Sequence, residues 1–183
     1  HRRTAPPSRG GTGLFTRTLR ARMPLLPVAD ERDLDSAARR ADFLRRVLAY
    51  ERWQALLARR PSRARLAAFH AAHELELLAH DPARAARLAR IVAHARRPIA
   101  DYGATFMRAL AAPTTRLRHA GALRRAAAML PLVPAERRVL VTAIARYRCG
   151  RTPLATPLGR VRRHAQRLGV DALLAQTYLQ DDA

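Results

Sequence analysis

Apolar residues recur at three- and four-residue steps in every long segment of this 183-residue chain, and prolines or capping residues separate those segments. No segment alternates apolar and polar residues with the period of two that a half-buried strand requires. A chain written this way buries its apolar stripes by laying helix against helix. The pattern therefore predicts an all-α fold, a compact bundle of about seven to nine helices.

A short amphipathic helix is expected from Gly13 to Met23, stopped by Pro24. The connection PLLPVADERDLD is extended and then acidic, and leads to a long helix from Ser36 to Arg59 whose inner face carries Phe43, Val47, Tyr50, Trp53 and Leu57. A third helix runs from Arg65 to His80. Asp81-Pro82 places a capping carboxylate before a proline at the first helical position, so a fourth helix covers Ala83 to Ala95. Pro98 opens a fifth, with Ile99, Tyr102, Phe106 and Leu110 as one stripe. Pro113-Thr114 opens a sixth that ends near Leu130, and Pro134 a seventh that ends at Gly150. The stretch TPLATPLG reads as a turn before an eighth helix closing at Gly169. Asp171 reads as the cap of a last short helix, Ala172 to Leu179. Residues 1–35 are expected to form an N-terminal helix and linker, and residues 36–183 the helical domain.

The chain carries 35 basic residues, all of them Arg, against 14 acids, for a net charge of +21. Codon bias in a GC-rich genome accounts for Arg in place of Lys; it does not account for missing acids. Soluble domains usually hold net charges of roughly 2 to 8, and a larger excess repels itself unless a polyanion is bound. The excess is also uneven. Residues 82–170 contain nineteen Arg and only two acids, Asp101 and Glu136, so the polyanion site is expected on the second half.

A single cysteine, Cys149, excludes an internal disulfide framework and any zinc or iron–sulfur site built from several thiolates of this chain. A reducing, cytosolic (cytoplasmic) setting fits that usage. The longest uncharged apolar stretch, Ala126 to Ala135, is broken by Pro131 and Pro134 and falls short of the roughly 20 residues of a membrane span. No membrane partner is expected. The opening HRRTAPPSRGGTG lacks the apolar core of a signal peptide and reads as a linker or the cut end of a longer protein.

His70, His73 and His80 fall within roughly 80° of one another on one helix face. Such a face binds a metal, grips phosphates, or is satisfied within the core. Glu74 and Glu76 only flank it. Arg84/Arg87, Arg116/Arg118/Arg124/Arg125, Arg137/Arg138 and Arg160/Arg162/Arg163/Arg167 form basic groups, each within a few helical turns. Guanidinium forks match phosphate oxygens in pairs and stack on bases. Tyr147, between Arg146 and Arg148, is either a base-stacking surface or part of the seventh helix's apolar stripe. Nothing marks a catalyst: there is no Gly-rich phosphate loop, acids are scarce near His119 and His164, and Cys149 stands alone among arginines.

The blocks FHAAHELELLAH (Phe69 to His80), DYGATFMRAL (Asp101 to Leu110), TRLRHA (Thr115 to Ala120), YRCGRTPLATPL (Tyr147 to Leu158) and LLAQTYL (Leu173 to Leu179) resemble, in this order, the YbgA-like family of uncharacterised domains. That domain often follows a TudS-type desulfidase domain, in fusions similar to the RudS-type enzymes that remove sulfur from 4-thiouridine in tRNA. Arg9 to Val28 resembles the last helix and exit of that desulfidase domain. The resemblance implies a tRNA-holding part whose partner is a desulfidase domain or protein. It also implies a 4Fe-4S cluster held by three cysteines in the desulfidase domain and no cofactor in this chain. Where the family usually reads Asn-Val-Leu-Gln-His after the residue matching His119, this chain has Gly121-Ala122-Leu123-Arg124-Arg125, two cations in place of an amide and a histidine. The Gln before the family's Gly is Cys149 here.

The leading expectation is an RNA-binding helical domain that holds tRNA, or another structured RNA, by electrostatic capture. Its phosphate contacts are expected at Arg116, Arg118, Arg124, Arg125, Arg148, Arg151, Arg160 and Arg163. His70, His73, His80 and His119 would share a polar cleft, with Tyr147 as a stacking surface. The alternatives are a DNA-binding protein associated with light-damage repair, and a metal-dependent enzyme using the His70/His73/His80 face.

Overall fold

The computed structural model of the chain describes residues 14–59 and 61–180. Among these residues are ten α-helices, one 3-10 turn and no strand, which is the all-α architecture the periodicity predicts. The basic opening segment, with the first part of the stretch resembling a desulfidase exit, lies outside the described residues. The chain divides into two compact units, residues 1–50 and 51–183, with the division inside the second helix.

The first unit holds α1 (Leu14–Arg22), the 3-10 turn (Glu31–Leu34) and the first half of α2 (Ala37–Ala58). Ser36 stands just before α2, and its Oγ accepts a hydrogen bond from the Arg39 backbone N–H at 3.3 Å. Arg39 meets Asp35 at 3.1 Å, and Arg45 and Arg46 lie 3.6 and 3.9 Å from Asp42. These one-turn pairs balance charge locally, although exposed pairs of this kind add little net stability.

The second unit contains α3 (Arg63–His80), α4 (Pro82–His94), α5 (Pro98–Leu110), α6 (Arg116–Met129), α7 (Pro134–Arg148), α8 (Ala155–Leu168), α9 (Asp171–Leu174) and α10 (Thr177–Gln180). Its hub is α3, which packs against α4, α5, α6 and α10, while α6 also carries α7 and α8. Sequence explains that placement: the second half of α3 is buried at His73, Leu75, Glu76, Leu77, Ala79 and His80, covering most of its circumference. Ser62, Asp81 and Thr115 cap α3, α4 and α6, each accepting from the backbone N–H three residues on at 3.2, 2.9 and 3.2 Å. Pro82, Pro98 and Pro134 open α4, α5 and α7, where a missing N–H costs nothing.

Two apolar regions result. One is aromatic: Trp53 stacks on Tyr102 with ring centres 5.6 Å apart, and Phe69 and Phe106 meet edge to face at 5.1 Å. Gly103 is required there, because an added Cβ would lie 2.8 Å from the Trp53 ring. The other is aliphatic and is built from Leu123, Leu130, Leu140, Ile144, Val161 and Leu173, among others.

Several boundaries differ from the sequence expectation; α3 begins at Arg63 rather than Arg65, because Ser62 caps it. α6 begins at Arg116 rather than at Pro113-Thr114, because the Thr115 hydroxyl is the group that caps it. α8 begins at Ala155 and runs through Pro157 and Gly159, where a turn was expected. Pro157 is the third helical residue, a position whose N–H has no partner within the helix, so the proline is tolerated. The expected helix from Ala172 to Leu179 is split into α9 and α10, and Asp171 is the first residue of α9, not its cap. Gln176, at the break, turns its buried amide into α3, accepting from the Leu75 N–H at 3.1 Å and donating to the Ala71 carbonyl at 2.5 Å. Those two backbone groups are four residues apart on one helix, so the amide inserts into the α3 hydrogen-bond ladder. Thr177 adds bonds to the Ala72 carbonyl at 3.3 Å and the Glu76 carboxylate at 2.8 Å. The C-terminal segment is thereby pinned to the hub.

Candidate nucleic-acid interface

The histidine face folds inward. His73 and His80 are 2% and 3% exposed, and their Nδ1–H groups donate to the Phe69 and Ala112 carbonyls at 2.8 and 2.7 Å. His70 is half-buried, with Nδ1 3.0 Å from the Tyr102 hydroxyl. Each imidazole is held by a different partner, so the three are not brought to a common cleft. Among the described residues no group of three or more His, Cys, Asp or Glu is placed to hold a metal ion. His119 is half-buried on α6, stacked on Tyr178 at 5.8 Å and bonded to its hydroxyl at 2.8 Å. Tyr147 is 6% exposed within the aliphatic core, so its ring presents no stacking face to solvent. Burial raises its pKa, and the nearby Arg116 cation acts in the opposite direction.

Burial depresses the pKa of His73 to about 4, with the Arg52 cation and His70 reinforcing the shift and its bond to the Phe69 carbonyl opposing it. His70 is lowered too, chiefly by burial and against the pull of Glu74. Because the folded pKa of His73 lies below the ordinary value of 6.5, the unfolded chain binds the extra proton between the two. Stability from this residue is complete above pH 6.5 and falls as pH drops toward 4, by about 3 kcal/mol in all. Urea unfolding at pH 7, 5.5 and 4.5 should show this loss in the wild type and a flatter profile in His73→Leu; parallel profiles would assign the acid sensitivity elsewhere.

The arginines sort into two classes. Some are structural. Arg118 donates to the carbonyls of His80 and Pro113, both at 2.8 Å, and so satisfies the end of α3. Arg137 does the same for the end of α6, reaching the Ala127 and Leu130 carbonyls at 3.3 and 3.1 Å. Arg125 and Arg167 pair with Glu74 and Glu136 at 2.9 and 2.7 Å. Replacing Arg118 with Met should cost about 1.5–3 kcal/mol in thermal or urea unfolding, the range for charged hydrogen bonds, because it strips partners from helix-end carbonyls. An unchanged melting temperature would return Arg118 to the solvent-facing class.

The second class faces outward. Arg124, Arg148, Arg151 and Arg163 are exposed on α6, at the end of α7, just beyond it and on α8, and have no carboxylate partner among the described residues. Their positions follow from the inner faces of these helices, since Leu123, Tyr147 and Val161 point into the core. Arg116, also exposed, lies over Gly150: a Cβ there would sit 2.8 Å from its guanidinium. Gly150 has φ +75°, the left-handed backbone that ends α7, so one glycine serves both the turn and the close approach.

A groove between α7 and α8, about 260 Å³ in volume, is lined by Arg138, Thr142, Arg146, Thr152, Thr156 and Arg160 over Val139 and Ala143. Of these only Arg160 was singled out for a contact from sequence. The legible signal was the four-residue spacing of Arg138, Thr142 and Arg146 along α7. Cys149 is exposed at the end of α7 and is the sole cysteine, so the chain's residues do not fit a 4Fe-4S cluster that requires three thiolates.

No helix of the described residues is long and apolar enough to cross a membrane. No curated protein and no solved structure matches the chain. A family model described as a protein of unknown function (DUF1722) matches residues 75–182, from the middle of α3 to just past α10 and including every helix of the basic surface. The chain belongs to that DUF1722 family.

Proposed function

We propose that the chain is an RNA-binding domain of the YbgA-like type that holds tRNA while a TudS-like desulfidase domain, in the same or another protein, removes sulfur from 4-thiouridine. One observation carries the binding half of this reading: Arg124, Arg148, Arg151 and Arg163 are exposed across α6, α8 and the end of α7, with no carboxylate partner among the described residues. Solvated helix faces normally mix signs, whereas a surface that displaces counterions from phosphates does not. The resemblance of the ordered sequence blocks supplies the tRNA and sulfur half.

Structured RNA is then captured by backbone and shape. Its A-form grooves hide base edges and present phosphates and 2′-hydroxyls, which suits guanidinium donors on helix exteriors. Titration with bulk tRNA and with a DNA duplex of similar charge, each at several salt concentrations, tests the proposal. The expected result is tighter tRNA binding with a log-log salt slope of several units. Equal binding would reassign the surface to general nucleic-acid affinity, including the DNA-repair role, and no binding would remove the proposal.

A further inference from the structure

The groove between α7 and α8 has the features of a site rather than of a solvated surface. Arg138, Thr142 and Arg146 form one stripe along α7, and Thr156 and Arg160 face them from α8, four residues apart. Among the described residues no carboxylate lines the groove. The single acid on α7 and α8, Glu136, is already paired with Arg167 at 2.7 Å. Three guanidinium groups around one concavity repel one another, and no acid among the described lining residues offsets that repulsion. Thr152 Oγ1 and Arg160 Nε are shielded from solvent and have no hydrogen-bond partner among the described residues. Buried donors without acceptors are uncommon in folded proteins, and both residues line this groove, where a small side-chain rotation would bring either donor to an acceptor in the groove.

We infer that this groove is a phosphate seat, which takes one phosphodiester of the bound RNA together with its ribose. A phosphate offers acceptor oxygens in several directions, matching guanidinium forks on one side and threonine hydroxyls on the other. Val139 and Ala143 give the groove an apolar floor suited to a sugar face. At about 260 Å³ the groove lies just below the roughly 300–1,000 Å³ of pockets for organic ligands, so it admits a single nucleotide unit. The inference rests on the RNA reading for the source of the phosphate, and on the groove alone for the presence of an anion site.

The test separates the two. Thr142→Val/Thr152→Val removes two hydroxyls and leaves every charge in place; Arg160→Gln removes one charge. In the full chain, inorganic phosphate and uridine 5′-monophosphate should shift amide resonances of residues 142–156 saturably, beyond chloride at matched ionic strength, and the double variant should abolish the shift. The same variant should weaken tRNA binding about tenfold with an unchanged salt slope, whereas Arg160→Gln should lower the slope by about one unit. Thr152→Val should melt at or above the wild-type temperature, because it removes a buried hydroxyl that bonds nothing among the described residues. The seat is overturned if phosphate leaves those resonances unmoved and the double variant holds tRNA as the wild type does, an outcome compatible with RNA binding elsewhere. Phosphate binding with unchanged tRNA affinity would overturn the RNA backbone as the source. If the wild type binds no tRNA, the RNA reading fails, and the phosphate titration still decides whether the groove takes an anion.

Discussion

Replacing Arg124, Arg148, Arg151 and Arg163 together by Gln should lower tRNA affinity about 100- to 1,000-fold near 0.1 M salt and reduce the log-log salt slope by roughly 3. The physical cause is counterion release: each phosphate neutralised by a guanidinium frees condensed cations, worth about 0.7 to 0.9 of a slope unit. These four side chains are exposed and lack a carboxylate partner among the described residues, so their removal should leave the melting temperature nearly unchanged. An informative control is Arg87→Gln/Arg90→Gln on α4, equally exposed, on a helix that packs chiefly against α3 and α5. Equal losses from the control pair and from any two of the four, measured by fluorescence anisotropy across a salt series, would show a diffuse charge effect without a defined face.

Phe106→Ala should destabilise the second unit by about 3–5 kcal/mol, the range for a large aromatic deleted from a closed core. Phe106 is fully buried and touches the rings of Trp53, Phe69, His73 and Tyr102, with centres 5.1 to 6.5 Å apart. Four rigid rings leave little freedom to collapse onto the space vacated. Gly103→Ala approaches the same cluster from the opposite direction, since its Cβ would lie 2.8 Å from the Trp53 ring, and overpacking of that kind costs about 1–3 kcal/mol. Calorimetric melting of both variants checks the account. A melting point for Phe106→Ala within a degree or two of the wild type would mean that the aromatic cluster is not a cooperative part of the fold.

The two predictions bear on separate layers of one helix set. α5 presents Phe106 inward, while α6, α7 and α8 turn Leu123, Tyr147 and Val161 inward and thereby turn Arg124, Arg148 and Arg163 outward. A helical period of 3.6 makes this division automatic once the apolar stripe is set. The same geometry explains why Arg118 and Arg137 are structural: each sits within reach of a helix end whose last carbonyls need donors.

Much of this was determined by the sequence alone. Apolar spacing, the Asp81 cap and the prolines Pro82, Pro98 and Pro134 defined the helical class and most element boundaries, because helix periodicity and capping are local properties. The excess of Arg over acids in residues 82–170 was equally legible, being a matter of composition. Tertiary structure alone decided which polar groups face each other. His70, His73 and His80 share a helix face by arithmetic, and only the packing of α5 and α6 around α3 turns that face inward and gives His70 and His80 their partners, Tyr102 and Ala112. The break between α9 and α10 depends on Gln176 reaching Leu75 and Ala71, about a hundred residues earlier in the chain. The α7–α8 groove likewise joins Arg138, Thr142 and Arg146 to Thr152 and Arg160 across a helix-to-helix connection. The Gln176, His70 and His80 pairings arise from long-range packing, since no window short enough to show periodicity contains both partners; the groove's residues are close in the chain, and the turn between α7 and α8 decides that they face each other.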